Sequence, residues 1–207
     1  MLAFKDRLKS SLSHDLPGKV AQKKLMVQPR LPMKWPPIRR ELKPAGTLIL
    51  LYPENDSIHF FLTKRSEDVE HHKGQISLPG GVQEKDESIS ETALRETMEE
   101  IGITENIEML GQLSTLPVPI SGFEIYPFVG WLPQKPETSI QEKEVEKVFT
   151  VSIDDLTSEK CEKCKKDVIR GFPVDIPYFQ LNGETVWGAT SMILSEFKTI
   201  LKEIAYG

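Results

Sequence analysis

The chain has 207 residues, a formal net charge of −5, 39% hydrophobic and 28% charged residues, the profile of an ordinary globular protein long enough for one domain with an extension. No run approaches the roughly 18 consecutive apolar residues of a transmembrane helix, and the acidic balance argues against bulk nucleic-acid binding. The two cysteines, Cys161 and Cys164, lie in SEKCEKCKKD; they lack the second ligand pair of a zinc site and read as a solvated loop or helix end.

In chain order, MLAFKDRLKSSLSHDL interrupts every apolar pair with Lys, Asp or Arg. That pattern reads as a short amphipathic helix rather than a signal-peptide core, so a cytoplasmic location with no membrane contact is expected. Between Lys19 and Lys43 eight basic residues face only Glu41, a stretch open to an anionic ligand or to plain solvation. Prolines at 29, 32, 36, 37 and 44 mark an irregular arm over 29–44. Residues 1–44 are therefore expected to form a terminal helix and arm, and 45–207 the body.

Within the body, AGTLILLY, IHFFLT, EMLGQLSTL, IYPFVGWL and EKVFTVSI read as strands separated by Gly, Pro and polar clusters. In PYFQLNGETVW, Asn182-Gly183 has the composition of a two-residue hairpin turn. Ala189, Met192, Ile193, Phe197, Ile200, Leu201 and Ile204 then follow the spacing of a closing helix. The expected class is α+β, a mixed sheet covered on its faces by helices. The apolar arm and the terminal helix are the surfaces through which a homodimer would form.

One helix concentrates the chemistry. In LPGGVQEKDESISETALRETMEEIGI, Ser88 and Glu91 form a capping box and Gly102 a stop, giving a helix of roughly 13 residues. With Ile89 at zero and about 100° per residue, Ala93, Leu94, Thr97, Met98 and Ile101 fall on one arc facing the core. Arg95, Glu96, Glu99 and Glu100 share the other side. Glu99 and Glu100 sit in the last turn, where an acid costs about 0.3–1 kcal/mol against the helix dipole. The glutamates also repel one another across i,i+3 and i,i+4, with Arg95 placed to compensate Glu99. A divalent cation would reverse these penalties, and hard carboxylate oxygens suit Mg²⁺ or Mn²⁺ bridged to substrate phosphates.

Together with the Pro79-Gly80-Gly81 turn, the spacing from Gly81 through Glu87 to Arg95-Glu96-Thr97-Met98-Glu99-Glu100-Ile101-Gly102-Ile103 resembles the Nudix box. That loop-helix-loop signature belongs to hydrolases of nucleoside diphosphates linked to another moiety. The resemblance implies an α/β/α sandwich in which Glu96, Glu99 and Glu100 hold divalent ions, completed by a main-chain carbonyl such as that of Gly80. Glu87 and Arg95 would orient the ligating side chains. The general base would be Glu96 or Glu144, the latter in the downstream run EKEVEKVF.

Upstream, FLTKRSEDVEHHKGQISLPGG is similar to the added signature of the coenzyme A pyrophosphatase branch. Leu62, Thr63, Arg65, Ser66, Gly74, Pro79, Gly80 and Gly81 stand in its positions. Phe61 and Leu78 depart mildly, and Glu70 replaces an Arg, a charge reversal that Lys73 or His71 could offset. The resemblance implies a coenzyme A-type nucleotide substrate met by Lys64, Arg65, Ser66, Lys73 and Gly81, with Arg39 and Arg40 of the arm available. His71 and His72 read as loop residues. Arg65 is equally readable as an ion-pair partner at a strand end. The same chemistry on ADP-ribose, a dinucleotide or a nucleoside triphosphate stays open, as does a non-catalytic nucleotide sensor. RNA decapping is disfavoured because the arm offers Trp35 as its sole aromatic.

Overall fold

The computed structural model describes residues 2–31, 41–66 and 74–206. The helices are α1 (Leu2–Leu12), α2 (Gly18–Gln22), α3 (Ile89–Ile101), α4 (Ile153–Thr157) and α5 (Ala189–Tyr206). The strands are β1 (Gln28–Pro29), β2 (Lys43–Glu54), β3 (Ser57–Arg65), β4 (Ile76–Ser77), β5 (Gly80–Val82) and β6 (Glu108–Gln112). They continue with β7 (Leu116–Val118), β8 (Phe123–Trp131), β9 (Val145–Ser152), β10 (Glu162–Ile169), β11 (Phe172–Leu181) and β12 (Glu184–Val186).

The run LILLY in β2 is apolar on both faces, which a strand needs only when both faces are covered. Leu48, Leu50 and Tyr52 pack with Phe61, Ala93 and Ile101, so that face carries α3. Ile49 and Leu51 pack with Phe60, Leu62, Phe197 and Leu201, so the other face carries α5. The sheet runs β4-β3-β2-β8-β6, with β5 on β2, β7 on β8 and β9 on β3. Among the described residues only β2 and β8 pair in parallel; β2 with β3 and with β5, and β3 with β9, are antiparallel. The expected mixed sheet between helices is what forms.

A second, antiparallel sheet joins β1, β10 and β12 to β11. Asn182 and Gly183 have φ of 47° and 80° and close the β11–β12 hairpin, a type I′ conformation and the turn expected there. Strand β10 corrects the reading of SEKCEKCKKD as a loop or helix end. Seven of its eight residues are exposed, so no apolar alternation betrays it; its pairing is organised by β11 and the Arg170-Gly171 turn, with φ of 52° and 84°. Cys161 is likewise not solvated. It is buried beside Lys198, whose Nζ lies 3.5 Å from its Sγ. EMLGQLSTL divides into β6 and β7, both paired with β8, and β6 itself shifts register between Met109 and Gly111.

The amino-terminal residues are part of this packing. Leu8, Leu12 and Leu25 lie in the same core as α5, and Lys5 and Lys9 pair with Glu108 at 2.8 and 3.2 Å. Residues 32–40, with Trp35, Arg39 and Arg40 among them, lie outside the described residues. No described helix is long and apolar enough to cross a membrane. The apolar stripe of α5 is consumed inside the chain, with Ile193, Leu194, Phe197, Ile200, Leu201 and Ile204 buried.

Glu196 of α5 is the polar pin of this docking. It is fully buried and accepts from Gly18 N at 3.2 Å, Gln22 Nε2 at 2.8 Å and Ser114 N at 3.1 Å. Glu196→Ala strands one buried and two part-buried donors, so chemical denaturation should report a loss of about 2–4 kcal/mol, and Glu196→Gln a smaller one.

Candidate active site

Helix α3 begins and ends as its sequence directs. Ser88 Oγ accepts from Glu91 N, Glu91 Oε2 accepts from Ser88 N at 2.7 Å, and Gly102 closes the helix with φ of 73°. Gly46 on β2 lets the helix approach, since a Cβ there would lie 2.5 Å from the Ile89 carbonyl oxygen. The buried stripe, however, is Thr92, Ala93, Thr97, Glu100 and Ile101, displaced from the expected arc. Met98, placed on the core side by periodicity, is 47% exposed. Glu100, placed with the exposed glutamates, is 2% exposed. It lies about 20° of helical rotation from Ala93, on the boundary of the arc, and contact with β3 and β5 takes it inside.

Arg95 organises the remaining acids. Its Nε and Nη2 grip the two oxygens of Glu87 at 3.0 and 2.9 Å, and its Nη1 lies 2.9 Å from both Glu96 Oε1 and Glu99 Oε2. Glu87 also accepts from Glu84 N and Thr92 Oγ1, each at 2.8 Å. These donors, Arg95 foremost, pull the Glu87 carboxyl down to about 2. Strand β5 then runs against Glu96. A Cβ on Gly81 would sit 2.3 Å from its carboxylate, so a side chain here would push that carboxylate out of its place. Burial pushes Glu96 above the usual carboxylate range, against the pull of Arg95.

Glu100 has weaker support. Gly80 N donates to its Oε2 at 3.3 Å, and Arg65 Nη1 stands 3.8 Å from its Oε1. Burial outweighs these contacts and lifts the carboxyl to about 8, with Glu96 and Glu144 adding repulsion. Glu144 is exposed, yet close enough for its charge to raise both Glu96 and Glu100. Its carbonyl accepts from Ser66 N at 2.9 Å, and Gln141 N donates to the Glu100 carbonyl. The segment before β9 is thereby held against both β3 and α3.

The structure brings together Arg65, Gly80, Gly81, Glu87, Arg95, Glu96, Glu99 and Glu100. Lys64 points its Nζ to Glu146 Oε1 at 2.8 Å, and Ser66 is buried. Lys73 lies outside the described residues, as do Glu70, His71 and His72. Thr92 and Gly46 were missed by sequence reasoning. The signal for Thr92 is its position five residues after Glu87 at the start of the helix; Gly46 carries no local signal, because its role is set by a helix more than forty residues away. Among the described residues no three His, Cys, Asp or Glu side chains already converge as a metal cage. Arg95 Nη1 sits between Glu96 and Glu99, and Glu100 turns towards Gly80 and Arg65. The donor chemistry nevertheless fits a hard cation: clustered carboxylate oxygens, one of them buried and faced by Arg65 at 3.8 Å. Two surface clefts, of about 540 and 220 Å³, lie elsewhere, around His59 and Lys163 and around Asp154 and Lys202.

Comparison with known proteins gives a consistent neighbourhood. Residues 42–172 match the NUDIX domain family. An uncharacterized Nudix hydrolase, NudL, of Pectobacterium atrosepticum is 31% identical over 82% of this chain and 88% of its own length. Nudix hydrolase 3 of Caenorhabditis elegans is 30% identical over 70% of this chain and 68% of its own. A peroxisomal coenzyme A diphosphatase of the same worm is 32% identical over 53% of this chain and 48% of its own. Among solved structures, a MutT protein from Methanosarcina mazei shares the fold with TM-score 0.51 at 18% identity, covering 81% of this chain and 96% of that one.

The depressed Glu87 carboxyl has a definite pH signature. Its contribution to stability is complete above the ordinary value of 4.5 and is lost as pH falls through about 2. Thermal melts of Glu87→Gln should therefore lie below wild type at neutral pH, and the gap should close steadily below pH 4.5.

Proposed function

We propose, from the premise that this chain belongs to the Nudix family, that it hydrolyses the diphosphate of coenzyme A or its thioesters to 3′,5′-ADP and a 4′-phosphopantetheine product. The chain is a Nudix hydrolase, and such enzymes use divalent metal ions and act on small nucleotide-derived substrates. The observation that carries the finer reading is the approach of Arg65 to Glu100 at 3.8 Å. It joins the upstream run containing Leu62, Thr63, Arg65 and Ser66 to the glutamate helix. The coenzyme A diphosphatase among the relatives supports the same substrate.

In this reading Glu96, Glu99 and Glu100, with the Gly80 carbonyl, hold Mg²⁺ or Mn²⁺. An ion held there would supply positive charge to the phosphoryl oxygens and would make a water acidic near neutral pH. Arg95, fixed by Glu87, sets the rotamers of Glu96 and Glu99. Gly81 keeps the approach to Glu96 clear of side chains. Arg65, Lys64, Ser66 and Lys73 receive the anionic substrate. Water attacks one phosphorus of the diphosphate, and Glu96 or Glu144 takes its proton. Residues 45–207 carry this chemistry and residues 1–44 form the extension.

Mass spectrometry of products from coenzyme A, acetyl-coenzyme A, ADP-ribose, NADH and nucleoside triphosphates tests the proposal. Metal-dependent 3′,5′-ADP from coenzyme A is expected, and turnover confined to another diphosphate would remove the substrate assignment. Glu100→Gln should lower kcat by about a hundredfold or more, beyond the ten- to hundredfold typical of outer-shell partners. Unchanged turnover in Glu144→Gln would leave Glu96 as the base.

A further inference from the structure

Two arginines face the carboxylates of α3, and they are held differently. Arg95 spends its donors on Glu87, Glu96, Glu99 and the Val82 carbonyl, all at 2.9–3.3 Å. Arg65 stands 3.8 Å from Glu100, and its Nε is buried with no hydrogen-bond partner among the described residues. A buried guanidinium N–H without an acceptor is costly to keep. The Arg65 backbone, by contrast, is fixed: its N–H donates to Gln75 O at 3.0 Å and its carbonyl accepts from Gly74 N at 3.2 Å. The pairing of β3 with β9 also shifts register between Lys64 and Arg65, a bulge of the kind that re-aims a side chain.

We propose that Arg65 is an exchange residue, which neutralises Glu100 before a divalent cation binds and is released to the diphosphate of the substrate once the cation takes over that charge. The inference rests on the reading of Glu100 as a metal ligand. A cation at Glu100 removes the attraction that holds the guanidinium and repels it as well. The freed fork, with its spare Nε, matches two phosphate oxygens. An arginine kept for structure alone would be expected to close on its carboxylate as Arg95 closes on Glu87. Metal and anion binding are then coupled through one side chain, and the coupling is reciprocal.

The exchange makes opposite predictions for the two ligands. Mn²⁺ affinity, read from the free-ion electron paramagnetic resonance signal without nucleotide, should be about fivefold tighter in Arg65→Ala than in wild type, because no cation has to be displaced. Calorimetry with α,β-methylene-ADP should show roughly tenfold weaker binding to the Mn²⁺-loaded variant than to Mn²⁺-loaded wild type. Arg65→Lys, which keeps the charge and guards against a folding defect, should hold wild-type Mn²⁺ affinity within about twofold while still weakening the analogue. Equal or weaker Mn²⁺ binding in Arg65→Ala, or analogue binding unchanged by it, would overturn the exchange while leaving the metal site intact. Failure of wild type to bind Mn²⁺ at all would instead sink the assignment of the glutamates, and the exchange with it.

Discussion

The paired grip of Arg95 on Glu87 is the constraint on which the site depends. Glu96, Glu99 and Glu100 crowd the carboxyl-terminal half of α3, where the helix dipole and mutual repulsion both oppose them. Arg95 alone on that face would be free to sample many rotamers. Glu87 removes that freedom with two contacts at 2.9 and 3.0 Å and is itself held by Glu84 N and Thr92 Oγ1. The remaining Nη1 then has one place to go, between Glu96 and Glu99. A loop carboxylate thus sets the geometry of two helix carboxylates through a planar, always-charged intermediary, a task lysine could not perform with its single rotatable ammonium.

The scaffold explains why this happens where it does. β2 buries both faces, and Gly46 gives α3 close approach to one of them. The same strand pairs with β3 and β5, so Arg65 at the end of β3 and Gly80 on β5 converge on the inward edge of α3. α5 covers the opposite face and is braced by α1 and by the buried Glu196. The site is therefore built at the margin of a strand buried on both faces, with Ser66 and Gln141 tied to it by backbone hydrogen bonds.

Much of this was legible in the sequence, in proportion to how local its causes are. The capping box, the Gly102 stop and the Asn182-Gly183 turn depend on a few adjacent residues and appear as read. The strands with apolar patterning also appear. Periodicity failed where tertiary contacts decide: it assigns residues to an arc, but the neighbours set the arc's centre. A modest rotation exposes Met98 and buries Glu100. β10 carried no pattern because neither of its faces is buried. Cys161 and Cys164 looked alike in a charged run, yet one enters the core at a turn and the other stays exposed on a strand. At the site, the residue types were readable, whereas the unequal commitment of the two arginines was not, since it depends on distances across strands.

That inequality follows from charge. Glu87, Glu96, Glu99 and Glu100, if all ionised, meet only Arg95 and Arg65 among their described ion-pair partners, leaving an excess of two negative charges. Without another cation Arg65 is the charge left to face the most buried member, Glu100, whose carboxyl is lifted to about 8 by burial. Glu144, near enough to raise it further, strengthens the pressure. A divalent cation of the kind proposed would cancel the excess, leaving the guanidinium of Arg65 without its reason to stay. The raised carboxyl of Glu100, driven first by its burial, and the unfinished contacts of Arg65 then belong to one buried site short of positive charge.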